Sequence, residues 1–265
     1  LAPRASWAVM ANDGPAVVAG HLGFDADDTA TSADRRWRRD CGRPPGLVDC
    51  TTPGTKTVLT SELLPVSSLD RPTIERMYEV FERHYDSTTW SRFNQDLAPK
   101  HWVLLLRDEC LSLRGFSTLQ VYERQHQGES CRILFSGDTV IDRDHWGKQE
   151  LAFNWLRLAG RLKGERPDLR HFWFLVSKGH RTYRYLPAFA QRFFPHWREP
   201  IPAFEAGLLE SLAADHFGAH FAPGTGVVRF SESQGHLRTS LAEISARDLR
   251  LDSVRYFLAR NPGYA

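Results

Sequence analysis

One segment decides how this chain folds, and it reads Phe135-Ser136-Gly137-Asp138-Thr139-Val140-Ile141-Asp142-Arg143-Asp144-His145-Trp146-Gly147-Lys148-Gln149. An apolar run turns polar, crosses a short charged turn and reaches a glycine where an amphipathic helix is predicted to begin. A strand, a glycine turn and a helix N-terminus in this order can hold an anion, because unpaired backbone N–H groups and the helix dipole both favour negative charge there. The segment therefore predicts a site for a phosphate-bearing ligand.

The composition indicates a folded protein without a strong overall charge. The chain has 265 residues, of which 42% are hydrophobic and 12% aromatic, and its formal net charge is +2. This length suits one large domain, or one domain with an extension. The basic cluster at residues 35–39 is the local exception. We expect a solvated arm there, with nucleic-acid binding as the alternative, and so predict no nucleic-acid partner.

Cysteine spacing and hydropathy bear on the compartment. Cys41, Cys50, Cys110 and Cys131 are spaced too irregularly for a zinc site or a disulfide framework, and the last two are expected to be small buried hydrophobic residues. No run approaches the roughly eighteen apolar residues of a membrane span, and the N-terminal residues lack a signal-peptide pattern. We therefore expect a cytoplasmic protein.

Three regions of the chain differ in pattern. Residues 1–55 show no sustained period and are rich in Ala, Gly, Asp, Arg and Pro, so we expect a weakly ordered N-terminal extension. Residues 56–199 are expected to form the core that carries the chemistry. Residues 200–265 are expected to form a C-terminal α/β extension that packs on this core. The oligomeric state is left open.

From residue 57 onward the periodicity predicts an α+β fold. Strands are expected at 57–64, 101–107, 111–122, 132–141 and 171–176. Asp70 can cap a helix that has Pro72 in its first turn, and Leu151 starts the apolar face of a second helix. Further helices are expected at 183–194 and 204–212 and a short strand at 227–230, while 252–258 fits either. The order β-α-β-β-β-α-β-α predicts a mixed, mostly antiparallel sheet flanked by helices.

This order, with the glycine turn between the fourth strand and the next helix, resembles the GNAT superfamily of acyl-CoA-dependent N-acyltransferases. The turn of that superfamily reads roughly Gln/Arg-x-x-Gly-x-Gly/Ala. Gly147 matches its first glycine, while Asp144 occupies the first position and Gln149 the last. The resemblance covers residues 57–195. Residues 177–187 are similar to a divergent branch near the N-acyl amino acid synthases.

The resemblance implies a binding site for acetyl-CoA or a longer acyl-CoA, with an acyl carrier protein as a possible donor instead. Backbone groups of Thr139, Val140 and Ile141 would hold the pantetheine arm in a gap between the fourth and fifth strands. The turn residues Gly147, Lys148 and Gln149 would bind the pyrophosphate. The alternatives are an ordinary, completely paired strand and a plain helix N-terminus.

Acyl transfer to an amine also requires a base and an acid. The candidate bases are Asp138, His145 and Glu150. A histidine titrates near neutrality, but Asp138 is preferred because it lies on a strand, on the same face as Val140. In the resembled family a tyrosine often protonates the leaving thiolate, and Tyr183 is preferred over Tyr185 for this role. The alternatives are a structural carboxylate and two packing aromatic residues.

A metal site is not expected. His216 and His220 have the spacing of a helical metal pair, but no glutamate follows the first and no third ligand is evident. The first hypothesis is therefore a GNAT-like acyltransferase in which a small-molecule primary amine attacks an acyl thioester directly. The rival is a non-catalytic GNAT-like module in which residues 200–265 contact a partner.

Overall fold

The computed structural model of the protein describes residues 4–12, 59–148, 150–190, 192–223, 227–230 and 235–261, with the backbone only at residues 4–12 and 229. Its strands are β1 (Arg4–Asn12), β2 (Thr60–Pro65), β3 (Tyr85–Asp86), β4 (Trp102–Arg107), β5 (Leu113–His126), β6 (Glu129–Ile141), β7 (Arg170–Ser177), β8 (Phe221–Ala222), β9 (Val227–Arg229) and β10 (His236–Leu237). Its helices are α1 (Arg71–Glu82), α2 (Trp90–Leu97), α3 (Glu150–Glu165), α4 (His180–Tyr183), α5 (Tyr185–Phe189), α6 (Ala203–Phe217), α7 (Thr239–Ala242) and α8 (Asp252–Arg260).

The strands form one large mixed sheet. Its eight strands follow the order β2-β4-β5-β6-β7-β1-β9-β8, and every neighbouring pair is antiparallel except β6 and β7, which run parallel. The short strands β3 and β10 pair separately. Because a parallel pair requires a crossover connection, α3 joins β6 to β7 across one face of the sheet. The predicted α+β class, with a mostly antiparallel sheet flanked by helices, is confirmed.

Local signals in the sequence predicted most elements. The side chain of Asp70 caps α1 by accepting a hydrogen bond from the Thr73 backbone N–H at 3.0 Å, as expected. The single helix expected at 183–194 is wrong, because α4 ends at Tyr183 and α5 at Phe189. Pro187 lies in the first turn of α5 and has no N–H to donate to the carbonyl of Tyr183, which disfavours one continuous helix through this segment. Helix α2 and strand β1 were not predicted.

Helices cover both faces of the sheet. Helix α3 packs on one face, where Leu158 and Leu162 contact Leu134 and Trp173 of β6 and β7. Helices α1, α2 and α6 cover the other face in two apolar clusters. Alternate residues of β4 and β6 therefore serve opposite cores, as the period of a strand requires.

The parallel pair β6–β7 opens at one end. The two strands pair from Cys131 and Arg170 up to Ser136 and Leu175, although β6 continues to Ile141 and β7 to Ser177. On its other side β6 stays paired with β5, but the register shifts there, because Leu119 faces Ser136 whereas Ser117 faces Thr139. A β-bulge at residues 137 and 138 therefore lies where β6 separates from β7.

The bulge reverses the side-chain alternation of β6. Before it, Phe135 packs with the α6 face of the sheet. After it, Val140 packs on the same face in the cluster of α1 and α2, although the two positions differ by an odd number of residues. Asp138 shares the face of Val140, as the spacing predicted, and Thr139 points to the α3 face.

Two described elements, β1 and α6, lie within the N-terminal and C-terminal extensions that the sequence predicted. Strand β1, which falls inside the expected N-terminal extension, pairs with β7 along Asn12 to Ser6. The basic cluster at residues 35–39 lies outside the described residues. Helix α6 of the expected C-terminal extension packs on β6 and β7. The boundaries at residues 55 and 199 remain predictions.

The cysteine expectations are confirmed for one residue and wrong for another. Cys131 is buried with its thiol free. Cys110 is exposed and disulfide-bonded, and its partner lies outside the described residues. This bond removes the sequence argument for a reducing compartment.

We predict that Gly115→Ala destabilises the protein by about 1–3 kcal/mol and disturbs the end of β6. A Cβ at Gly115 would lie 2.6 Å from the carbonyl oxygen of Val140 and 3.1 Å from the Cα of Ile141, so the two strands would have to separate. Gly164→Ala is the matched control, because it adds the same methyl group to helix α3 with no atom within 4 Å. Urea unfolding should show the control equal to or more stable than wild type. An unchanged midpoint for Gly115→Ala would contradict the prediction.

Candidate active site

Three cavities meet where β6 and β7 separate. The turn-side cavity, of about 340 Å³, borders the glycine turn after β6. The α6-side cavity, of about 320 Å³, is bordered by α6 and α2 on the opposite side. The apolar pocket, of about 20 Å³, lies between α3 and the sheet. Thr139 and Thr182 line all three spaces, so the junction lies between the end of β6 and helix α4.

Hydrogen bonds to one carbonyl tie the glycine turn to the end of β6. The indole Nε1 of Trp146 donates to the carbonyl oxygen of Ile141 at 2.8 Å, and the Nε2 atom of His84 lies 2.9 Å from the same oxygen. Gly147 follows with a φ of 84°, a conformation that a side chain would strain. Gly147 and Lys148 are thereby held in the wall of the turn-side cavity.

The ladder on the other side of β6 decides which backbone groups face the gap. The Asp142 backbone N–H donates to the carbonyl oxygen of Arg114 at 2.7 Å, and Val140 is paired with Phe116 two positions earlier. In an antiparallel ladder alternate residues bond to the same neighbour. The backbone groups of Val140 therefore point to β5, and those of Thr139 and Ile141 point into the gap.

Basic side chains border the turn-side cavity, namely Lys148, Arg181 and Arg184. The guanidinium of Arg181 lies 4.5 Å from the ring centroid of Trp146 and donates to the carbonyl oxygens of Leu241 and Glu243. Arg184 forms an ion pair with Asp248 at 2.9 Å. The cations and the adjacent N-terminus of α3 make this cavity favourable for an anion.

Ionisable side chains line the α6-side cavity around Asp138. Burial raises the pKa of the Asp138 carboxyl, and the ammonium groups of Lys178 and Lys100 oppose part of this rise. Burial also lowers the pKa of His216 to about 4, so its ring is neutral at pH 7. The Nε2 atom of His216 lies 3.0 Å from the hydroxyl of Tyr122. Asp138 is therefore the group in this cavity best suited to accept a proton.

Apolar side chains form the third space. The rings of Trp155 and Trp173 stack with centroids 4.0 Å apart, and Leu151 and Phe189 complete the wall. Tyr185 lines both this pocket and the turn-side cavity. Burial raises the pKa of Tyr185, so its phenol keeps its proton near neutral pH.

The structure brings together most of the residues that the sequence singled out. Asp138, Thr139, Val140, Ile141, Gly147 and Lys148 all line the turn-side or α6-side cavity. Gln149 lies outside the described residues. The backbone of Val140 is directed to β5, so a contact through its main chain is no longer expected.

Tyr183 and His145 do not line these cavities, which corrects their expected placement. Tyr183 is buried among aromatic side chains, and its hydroxyl donates to the carbonyl oxygen of Pro195 at 2.9 Å. His145 is buried in the turn at Arg143–His145, where desolvation, followed by the nearby charge of Lys148, lowers its pKa. Tyr185 takes the cavity position expected for Tyr183, because α4 ends between the two tyrosines.

Sequence reasoning missed Lys100 and Thr182. Lys100 follows helix α2, which was not predicted, so no signal placed this lysine near β6. Thr182 lies within residues 177–187, which resemble a divergent branch of the superfamily, but which side chain of that segment faces the gap depends on the start of α4. Both positions follow from tertiary structure rather than from local periodicity.

Neither a cluster of metal ligands nor a membrane-spanning helix occurs in the part of the chain that the structure describes. No group of three or more His, Cys, Asp or Glu residues there could hold a metal ion. No helix there has the length and apolar character needed to cross a membrane.

No protein-family model and no curated protein matches the chain. Among solved structures it is similar to a probable N-acyltransferase from Enterococcus faecalis, with 11% identity over 40% of this chain and 28% of that chain and a TM-score of 0.32. An aminoglycoside acetyltransferase from an uncultured soil metagenomic sample has 15% identity over 54% of this chain and 97% of that chain, with a TM-score of 0.37. A GNAT family N-acetyltransferase from Escherichia coli, solved with CoA, has 16% identity over 41% of this chain and 58% of that chain, with a TM-score of 0.29.

The three neighbours are a probable N-acyltransferase and two acetyltransferases. The chain spans 28% of the first neighbour and 58% of the third.

We predict that acid destabilises the fold through His216. Its pKa is lowered from 6.5 to about 4 in the folded protein, chiefly by burial. Between these values the unfolded chain binds a proton that the folded chain does not, so the free energy of unfolding falls as the pH falls through this window. His216→Gln should flatten this dependence by an amount on the order of 2 kcal/mol. Urea unfolding at pH 7 and pH 4.5 measures the free energy of unfolding at each pH. An equal loss of this free energy between the two pH values in variant and wild type would contradict the prediction.

Proposed function

We propose that this protein is an N-acyltransferase that moves an acyl group from an acyl thioester to a primary amine by direct attack. One observation supports this most strongly: Thr139 and Thr182, at the gap between β6 and β7, line both the turn-side and the α6-side cavity. A thioester that enters from one side and an amine that enters from the other would meet at this junction.

The turn-side cavity suits coenzyme A as the carrier of the acyl group. Gly147 and Lys148 lie beside the start of α3, where backbone N–H groups and positive charge would bind the pyrophosphate. The outward carbonyl oxygen of Thr139 and the N–H of Ile141 would pair with the amides of the pantetheine arm, in the way that an added strand pairs with a sheet edge, while the Ile141 carbonyl oxygen stays bonded to Trp146. The thioester carbon would then reach the junction of the cavities.

The apolar pocket would receive the start of the acyl chain. It opens beside Thr139 and Tyr185 and is bordered by Leu151, Trp155 and Trp173. Such a wall stabilises a hydrocarbon chain by removing it from water. We assign acyl-CoA as the donor, since the basic side chains of the turn-side cavity match its phosphates.

Asp138 is the proposed base. The acceptor arrives as an ammonium ion, and Asp138 takes one of its protons so that the nitrogen lone pair can attack the thioester carbon. The C–N bond forms, and the negative charge on the carbonyl oxygen is stabilised by outward backbone N–H groups of β6. The C–S bond then breaks, the nitrogen passes its remaining extra proton to the leaving sulfur by way of the Tyr185 phenol, Asp138 releases its proton to solvent, and the products are an amide and a thiol.

Tyr185 is the proposed donor to the leaving sulfur. Its phenol is protonated at neutral pH because burial raises its pKa, and it lies between the turn-side cavity and the apolar pocket. A proton or a hydrogen bond from this phenol stabilises the thiolate as the C–S bond breaks. The proposal gives no role in proton transfer to Tyr183 or His145.

Coenzyme A binding should be lost in Gly147→Glu and kept in Gly128→Glu. Both glycines have a φ of 84°, and a Cβ at either position meets no atom within 4 Å, so the two changes strain the backbone alike. Only the change at Gly147 places a carboxylate in the turn-side cavity, where it repels phosphate. Calorimetric titration with CoA, acetyl-CoA and long-chain acyl-CoA measures the effect.

Equal affinity of the two glutamate variants would contradict the proposed phosphate site. Binding of acyl-CoA without release of thiol to any amine would favour the rival hypothesis of a non-catalytic module. Thiol release from an acyl carrier protein alone would reassign the donor.

Asp138→Asn should lower kcat by about 10²- to 10⁴-fold, the range for loss of a general base. Wild-type activity should fall as the pH falls through the raised pKa of Asp138, because only the carboxylate accepts the proton. Asp144→Asn makes the same charge change at an exposed carboxylate of the same segment that lines none of the three cavities. Initial rates of thiol release, measured from pH 5 to pH 9 for wild type and both variants, give the dependence of activity on pH. Wild-type kcat in Asp138→Asn would exclude Asp138 as the base.

A further inference from the structure

The buried ring of His84 joins the end of helix α1 to the end of β6. Its Nδ1 atom lies 2.8 Å from the carbonyl oxygen of Val80, and its Nε2 atom lies 2.9 Å from the carbonyl oxygen of Ile141. A carbonyl oxygen can only accept a hydrogen bond, and a neutral imidazole has only one N–H. Both hydrogen bonds therefore form only when the ring carries two protons and a positive charge.

The end of helix α1 favours this charged form of the ring. The helix ends at Glu82, so the carbonyl oxygen of Val80 is one of the last four, which need donors from outside the helix. The backbone N–H of His84 donates to the carbonyl oxygen of Phe81 at 2.9 Å, so it is the ring that reaches Val80. The negative end of a helix dipole stabilises a histidine cation placed there.

The contacts of His171 show that carbonyl oxygens at a helix end do not suffice. Its ring nitrogens lie 3.0 Å from the carbonyl oxygen of Leu169 and 3.2 Å from that of Leu162, in the last turn of α3. Both contacts favour the protonated ring, but burial outweighs them and lowers the pKa of His171. His171 lines none of the three cavities, whereas His84 lines the turn-side cavity. An anion in that cavity would add the negative charge that His171 lacks.

Two sets of charged and titratable groups surround His84. The first set consists of ion pairs with N···O distances of 3.2 to 3.7 Å, namely Arg83 and Arg114 with Asp142, and Arg238 with Asp86. The second set belongs to the turn after β6 and to the cavity wall, namely His145, Lys148, Arg181, Arg184, Tyr85 and Tyr185. The cations of the wall oppose a further positive charge on His84, whereas an anion bound among them favours it.

We propose that His84 is a positioning residue for the coenzyme, and that binding of the coenzyme phosphates in the turn-side cavity is coupled to the uptake of a proton by the His84 ring. The inference rests on the proposed acyl transfer and adds a pH dependence to the binding of its donor. The proton comes from solvent and stays on the ring while the anion is bound. With two N–H groups the ring bonds to Val80 and Ile141 together, and it thereby fixes the end of β6 with the N–H of Ile141 facing the gap.

Titration calorimetry on the whole chain measures this proton uptake. Dephospho-CoA is the ligand, because its diphosphate does not titrate near neutral pH, whereas the phosphate monoester of CoA does. Titrations near pH 7 in Bis-Tris and in Tris, two cationic buffers with different enthalpies of ionisation, give the number of protons taken up. Wild type should take up more protons per ligand than His84→Gln, because an amide cannot gain a charge. From pH 8 to pH 6 the wild-type affinity should rise about 5-fold or more beyond any rise in the variant.

His171→Gln is the matched control for this comparison. It removes a ring with similar carbonyl contacts that lies outside the cavities, so it should take up as many protons as wild type. Equal uptake in wild type and His84→Gln, with the ligand bound to both, would overturn the inference and keep the acyltransferase proposal. A similar loss of uptake in His171→Gln would also overturn it, because the effect would then not arise at the turn-side cavity.

A second measurement needs neither a variant nor the coenzyme. Nitrogen-15 NMR shows whether each histidine ring carries one proton or two, and sulfate is an anion that does not titrate near neutral pH. Sulfate should raise the protonated fraction of His84 at pH 7 and leave His171 unchanged. This result without any binding of dephospho-CoA would keep the inference for an anion and reject acyl-CoA as the donor. A His84 ring that neither sulfate nor dephospho-CoA changes would overturn the inference.

Discussion

The loss of pairing between β6 and β7 beyond Ser136 and Leu175 is the constraint on which the rest of the site depends. A strand that leaves its neighbour exposes backbone donors and acceptors, and buried groups of this kind require other partners. At Ile141 the carbonyl oxygen is satisfied within the protein by Trp146 and His84. At Thr139 the outward groups face a cavity, which makes the gap a natural place for an extended amide-containing ligand.

The β-bulge explains why adjacent residues can serve opposite sides of the sheet. An extra residue in one strand shifts the alternation of all that follow it. Asp138 thereby points to the α6-side cavity, while Thr139 points to the α3 face, where its hydroxyl lies 2.9 Å from that of Ser117. The same bulge brings Gly137 against Lys100. One local irregularity therefore positions the proposed base Asp138, the junction at Thr139 and the side chain of Lys100 together.

The sequence predicted what depends on local periodicity and failed where tertiary contacts decide. Alternation and capping predicted the consecutive strands β4, β5 and β6, the start of α1 at Asp70 and the shared face of Asp138 and Val140. The choice between Tyr183 and Tyr185 failed because it depends on how the chain turns at Arg184, which a helical wheel cannot show. Lys100 was missed because the lysine reaches β6 from a distant loop, and its partners are far away in sequence.

The C-terminal part of the chain is better regarded as part of the site than as an addition to it. Helix α6 supplies His216 and Phe217 to the wall of the α6-side cavity. On the other side Arg181 links the indole of Trp146 to the carbonyl oxygens of Leu241 and Glu243, so the glycine turn is supported from residues after α7. A core ending at residue 199 would keep β6 and its bulge. It would lose the α6 wall of the α6-side cavity and the carbonyl oxygens that hold Arg181 beside the turn-side cavity. Because the walls at both ends of the gap depend on these contacts, we infer that the proposed catalytic unit extends at least to Glu243.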